Sequence, residues 1–242
     1  MAIAAGDRDF TLRELEAPLR LDDLTPAGGA WEVELGFGKG RYLLRRATAA
    51  PDRGFLGLEV ASEYFRRVRR AARRRGLANL VLIHGEALFL LCAVLPRRFA
   101  AAVHVYFPDP WPKSRHQKRR LFDAESVDLV VSLLAPGGRL FFATDHPDYG
   151  AAVAELLGAY PGLAVRRLAA WPEGPRTHYE ARFSAAGSAI LRLEAELEAD
   201  AEPILHPQGA AGVLVAPRPP RPKTLATSSN GSGGPPWPPT GA

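Results

Sequence analysis

"WEVELGFGKGRYLLRRATAA", residues 31–50, passes from one kind of structure into another without a linker. "WEVEL" (31–35) reads as a strand, "GFGKG" (36–40) as a glycine turn and "RYLLRRATAA" as a helix. Such a unit is half of a βαβ crossover, and the chain goes on repeating it. Strands are predicted at "GFLGLEV" (54–60), "NLVLIHG" (79–85), "AAVHVYF" (101–107) and "RLFFATD" (139–145). Helices are predicted between and after them: 61–75, "EALFLLCAVL" (86–95), "DAESVDLVVSLL" (123–134, stopped by Pro136-Gly137-Gly138) and "DYGAAVAELLGAY" (148–160). "AVRRLA" (164–169) and "THYEARFS" (177–184) read as two closing strands. Strands alternating with helical stretches predict an α/β, Rossmann-like doubly wound domain, its mostly parallel sheet covered by helices on both faces.

The chain has 242 residues, enough for one large core with appendages. Lys and Arg number 31 against 26 Asp and Glu, a net charge of +5 that suits a polyanionic partner. The single cysteine, Cys92, excludes an intramolecular disulfide and a cysteine-rich metal site, and lies in an apolar run as a small hydrophobe. No metal is expected. No apolar run approaches the ~20 residues that span a bilayer, so no membrane is expected and a cytoplasmic setting is the default.

Three acids fall at the carboxyl ends of successive strands, the rim where open α/β sheets bind ligands. Glu34 stands two places before the first glycine of Gly36-x-Gly38-x-Gly40. This spacing differs from the G-x-G-x-x-G of dinucleotide binders. A carboxylate there would repel a pyrophosphate and suit a cationic ligand, such as the methionyl part of S-adenosylmethionine. Glu59 closes the second strand, where an acid accepts hydrogen bonds from both ribose hydroxyls. Glu86 follows the third, placed for an adenine amino group or simply as a helix-start acid.

"YFPDPWPKSRHQKRRL" (106–121) frames Asp109 between Pro108 and Pro110, then supplies five cations with His116 among them. Proline-fixed backbone holds a carboxylate with little entropy left to lose. Adjacent cations suit a phosphate backbone and fix register without reading sequence. Trp111 reads as a packing anchor. A second basic run, "FRRVRRAARRR" (65–75), puts seven arginines on one predicted helix. A solvated helix face is its plainest reading; an extended RNA footprint and an anionic membrane surface are the others.

Together Glu34-x-Gly36-x-Gly38-x-Gly40, Glu59, "PDPWPKSRHQKRRL", "TDHPDY" (144–149) and "RTHYEAR" (176–182) resemble the tRNA (guanine-N7-)-methyltransferases over residues 31–183. The resemblance implies a class I methyltransferase fold, S-adenosylmethionine as cofactor, and methylation of guanine N7 in the variable loop of tRNA. It places Glu34, Gly36, Gly38, Gly40, Glu59, Glu86 and Asp109 at the cofactor, with Asp109 also catalytic. Lys113, Asp145, Thr177 and Glu180 would meet the substrate, and Arg115, His116, Lys118, Arg119 and Arg120 the RNA backbone. His178-Tyr179 replaces the Lys-Phe usual in the last motif: the stacking face stays, but a permanent cation is lost. A monomer and a homodimer are both compatible with the sequence.

The flanks are expected to stand outside this domain (31–186). Residues 1–30 read as an arm. Residues 187–215 read as a short helix, "SAILRLEAELEAD" (188–200), with Ile190, Leu193 and Leu197 on one face, plus a linker. Residues 216–242, with eight prolines, read as a disordered tail.

Overall fold

The computed structural model describes residues 9–11, 30–112, 115–116 and 120–201. Among them eight strands form one sheet: β1 (Asp9–Thr11), β2 (Trp31–Leu35), β3 (Gly54–Glu59), β4 (Leu80–His84), β5 (Ala100–Tyr106), β6 (Leu134–Thr144), β7 (Leu163–Arg167) and β8 (Leu191–Leu197). Their order is β1-β4-β3-β2-β5-β6-β8-β7. β1 to β6 pair in parallel, and β8 runs antiparallel between β6 and β7.

Side-chain alternation decides which face each helix covers. Val33 and Leu35 of β2, Val103 and Val105 of β5, and Leu140 and Phe142 of β6 point to one face. There α3 (Ala87–Ala93), α4 (Val127–Val131) and α5 (Pro147–Gly158) bury them. Phe55, Leu80 and Leu82 point to the other, against Leu43 and Leu44 of α1 (Arg41–Ala49) and Phe65 and Val68 of α2 (Ser62–Arg74). β2 and β3 are buried at every position, as central parallel strands are. Each Val, Leu or Phe removed from water contributes roughly 1.5–3 kcal/mol.

The chain leaves β2 toward β3 and β4, then returns to β5 on β2's other side. The strand order therefore reverses between β2 and β5, and their carboxyl ends open a crevice where ligands bind in such sheets.

The structure corrects the predicted elements in four places. Residues 188–200 supply a strand of the sheet, β8, instead of an outlying helix, so the folded domain extends beyond residue 186. Its period is two: Leu193, Ala195 and Leu197 pack into the core. Glu194 pairs with Arg166 at 2.8 Å, and Glu196 with Arg139 at 3.2 Å, on the opposite face. Residues 177–184, expected as a strand, lie in helix α6 (His178–Ala185) and its cap, Thr177 accepting a hydrogen bond from the Glu180 N–H. β6 begins at Leu134, where its pairing with Ala100 precedes an irregularity in the ladder. Within the expected arm, Asp9–Thr11 adds an edge strand parallel to β4. The predicted linker beyond residue 201 and the tail lie outside the described residues.

Candidate active site

A cavity of about 390 Å³ occupies the crevice between β2 and β5. Glu34, Gly36, Gly38 and Gly40 form its wall from β2 and the turn. Tyr106, Phe107 and Asp109 come from the end of β5, and Thr177 and Tyr179 from the start of α6. Six of the residues predicted from sequence thus meet in one space: Glu34, Gly36, Gly38, Gly40, Asp109 and Thr177.

Backbone hydrogen bonds set the shape of the turn. The Gly36 N–H reaches back to the Leu58 carbonyl at 2.8 Å, and the Gly40 N–H to the Phe37 carbonyl at 2.8 Å. Gly40 is held at φ 69, and a β-carbon there would sit 2.6 Å from Val68 Cγ2, so both conformation and packing demand glycine. Glu59 is buried beside the turn. Its carboxylate accepts the Gly38 N–H at 2.8 Å and the Ala61 N–H at 2.7 Å, tying the loop to the end of β3.

Glu32 and Glu34 share one face of β2 but differ in electrostatics. Burial raises the Glu32 carboxyl, yet hydrogen bonds from His104 and Arg46 outweigh it and bring the pKa down to about 2. Arg53 adds a third contact at 3.2 Å. Glu34 has no such escort. Burial pushes its pKa up to about 8, the nearby Glu59 charge adds to the rise, and the Leu43 backbone and Arg176 oppose it. Its Oε2 is enclosed and has no hydrogen-bond partner. A buried, unpaired carboxyl oxygen in a cavity wall is costly unless a ligand supplies the missing donor.

The remaining acids hold structure. Glu86 caps α3, accepting the Phe89 N–H at 2.8 Å. Glu180, which the resemblance gives to the substrate, is fully enclosed. Its Oε1 accepts Arg192 Nε at 2.7 Å and its Oε2 the Arg176 N–H at 2.7 Å, fastening α6 to the sheet. Asp145 accepts the Tyr179 hydroxyl at 3.2 Å and so steadies that ring.

The loop after β5 carries Asp109 exposed at the cavity. Phe107 (φ 52) and Trp111 (φ 42) flank it in the left-handed region, at about 1–3 kcal/mol each, strain that persists only where the surroundings enforce it. Part of the enforcement comes from Arg120, whose Nε donates to the Pro110 carbonyl at 2.8 Å while its guanidinium lies 4.8 Å over the Tyr149 ring. Arg120 therefore pins the loop, a contact additional to the RNA role expected of it. Arg115 Nε donates to His116 Nε2 at 3.3 Å, and Trp111 meets the His116 ring edge-on. Lys113, Lys118 and Arg119 lie outside the described residues.

Sequence reasoning named the Tyr179 ring but not Tyr42, Tyr64, Tyr106 and Phe107, which line the cavity with it. Tyr179 is 45% exposed, stacks on Phe183 at 4.3 Å, leans on Phe107 at 4.8 Å and lines the cavity. Arg176 is buried behind the site with its guanidinium 4.0 Å from Trp171 and 4.5 Å from Phe141 and donating to the Tyr106 hydroxyl at 2.6 Å. The "RTHYEAR" motif contained Arg176, but nothing in the sequence spoke of the rings around it.

Among the described residues no group of acids, histidines and cysteines is arranged to hold a metal, and no helix is long and apolar enough to cross a membrane. The family model Methyltransf_4, "Putative methyltransferase", matches residues 30–193. The tRNA (guanine-N(7)-)-methyltransferase of Nitrosococcus oceani is 37% identical over 169 residues, covering 69% of this chain and 72% of that protein. The enzyme of the same name from Mycobacterium leprae is 35% identical, covering 68% and 76%. A 16S rRNA (adenine(1408)-N(1))-methyltransferase from Catenulisporales acidiphilia, solved with its cosubstrate SAM, matches with a TM-score of 0.53 at 20% identity over 78% of this chain and 96% of that one, which shows a shared fold. With its glycine turn, Glu34 and proline-framed Asp109 assembled in one crevice, the chain belongs to the tRNA (guanine-N7-)-methyltransferase family.

Proposed function

We propose that this protein transfers the methyl group of S-adenosylmethionine to N7 of a variable-loop guanosine in tRNA. The observation that carries this reading is the glycine-walled cavity in which Glu34, Asp109 and the half-exposed Tyr179 ring meet. The residues fit the cofactor. β-Carbons at Gly36 and Gly38 would meet nothing within 4 Å, so these glycines leave open space where side chains would begin. Glu34 would face the methionyl ammonium; Glu59 and Glu86, expected at the ribose and the adenine, are not in the cavity lining, Glu59 tying the glycine turn to β3 and Glu86 capping α3.

The cofactor supplies an electrophilic methyl: the guanine N7 lone pair forms the new bond as the sulfur–methyl bond breaks, and S-adenosylhomocysteine leaves. N7 has a free lone pair at neutral pH, so no residue must first remove a proton. Positioning dominates, worth up to ~7–11 kcal/mol in favourable systems. Tyr179 offers a face on which the guanine stacks. Asp109 accepts hydrogen bonds from the guanine N1–H and 2-amino group, which become stronger donors as positive charge spreads over the base. Cations beyond Asp109, in the run to Arg120, hold the phosphates. Incorporation of labelled methyl into unmodified tRNA transcripts tests the reading: transcripts with a variable-loop guanosine should accept label and transcripts without it should not.

Glu34 gives a pH-dependent prediction. With a pKa near 8 in the unliganded protein, its carboxyl is mostly protonated at neutral pH. A cationic ligand favours the ionised form, so cofactor binding at neutral pH should release a proton, and affinity should rise with pH up to about 8. The unliganded protein should behave oppositely. A carboxyl raised above its unfolded value binds more protons when folded, so its contribution to stability is lost as pH climbs through about 8. Calorimetry in buffers of different ionisation enthalpy reads the proton directly. Glu34→Gln should abolish the release and flatten both profiles; parent protein that binds cofactor without releasing a proton would contradict the assignment.

A further inference from the structure

The groove between α1 and α2 gathers positive charge, though Arg45 also acts on the Glu173 carboxylate. A cavity of about 760 Å³ there is lined by Lys39, Arg41, Arg45, Arg67, Arg74 and Arg75, and no carboxylate contributes to its lining. Helical spacing explains the cluster: positions 41 and 45 share a face of α1, and 67 and 74 a face of α2. Lys39, Gly40, Arg41 and His178 also line the glycine-walled cavity, so the two spaces share a rim. Arg67, Arg74 and Arg75 are exposed.

We propose that the α1–α2 groove is a second phosphate-binding track, which receives the ribose–phosphate backbone of the tRNA where it runs on from the methylated base. The proposal rests on the function proposed above and adds a site to it. A polyanion whose base enters the cavity carries phosphates past its rim, and cations there fix its register without reading sequence. The imidazole of His178 is held below its ordinary pKa by partial burial and by Arg41, Lys39 and Arg67, a sign that these cations act on one point. An anionic membrane is a poorer occupant. A helix that lies on a bilayer needs a free apolar face, and α2 has buried its own, Phe65, Val68 and Ala72, in the core.

Arg66 and Arg70 provide the control, because they are also exposed on α2 but do not line the groove. The test compares Arg67→Gln/Arg74→Gln with Arg66→Gln/Arg70→Gln, two pairs that remove the same charge from one helix. Binding of an unmodified tRNA transcript is measured across a salt series, with the melting temperature and cofactor affinity of each protein alongside. The groove pair should weaken tRNA binding and flatten its salt dependence by roughly one to two units, close to one per lost phosphate contact. The control pair should stay near the parent slope. Equal slopes for the two pairs, or a parent slope in the groove pair, would overturn the track. So would loss of binding to phosphatidylserine-containing vesicles with tRNA affinity unchanged. A parent protein that neither binds nor methylates tRNA would overturn the proposed function itself; one that does both while its groove pair keeps the parent slope would overturn the track alone.

Discussion

Replacing Asp109 with Asn should lower turnover by about 10²-fold or more while tRNA affinity stays close to the parent's, the scale seen when one electrostatic stabiliser is removed. Asn has nearly the same shape and still accepts a hydrogen bond, so it keeps the loop but loses the charge. The charge matters when the base becomes cationic, late on the path to product, and an interaction that strengthens only there raises turnover more than affinity. The loop is built to keep the carboxylate in place: prolines on both sides, Phe107 and Trp111 in left-handed conformations, and Arg120 on the Pro110 carbonyl. If Asp109 merely completed the turn between its prolines, Asn would serve nearly as well. Single-turnover kinetics with both substrates saturating separates the two, since a rate within a few-fold of the parent would end the catalytic assignment.

Glu180→Ala should cost stability, about 3–5 kcal/mol, because it strands one member of a buried ion pair. The Arg192 guanidinium would lose its carboxylate, and the Arg176 N–H its acceptor, at the point where α6 meets β8. Glu180→Gln, which keeps the shape and one acceptor, should lose less. Urea unfolding measures both. A loss below about 1 kcal/mol combined with weakened tRNA binding would mean that the carboxylate reaches the substrate after all, as the resemblance implies.

The β2–turn–α1 unit was legible because everything that specifies it is local: a strand, three glycines in register and a helix follow one another directly. Glu34 and Glu59 could be placed at the strand ends by the same short-range reasoning. The role of Glu180 could not, since its burial depends on Arg192, a residue of the strand that inserts between β6 and β7. That strand was itself misread. "ILRLEAEL" (190–197) satisfies helical spacing through Ile190, Leu193 and Leu197, but its strict alternation wins once Arg139 and Arg166 stand opposite its acids. Helix α6 differs in the other direction: its Thr-x-x-Glu start is a capping signal, while its aromatic residues favour strands. The caged Arg176 was beyond any local rule, because its rings come from α1, β5, β6 and the segment after β7.

Locating the transferred methyl group decides the central claim. An unmodified tRNA transcript incubated with the protein and S-adenosylmethionine, digested to nucleosides and resolved by mass spectrometry, should yield 7-methylguanosine from the variable loop and no other methylated base. Methyl groups on an exocyclic nitrogen, on a ring nitrogen other than N7, or on a guanosine elsewhere in the tRNA would contradict the account.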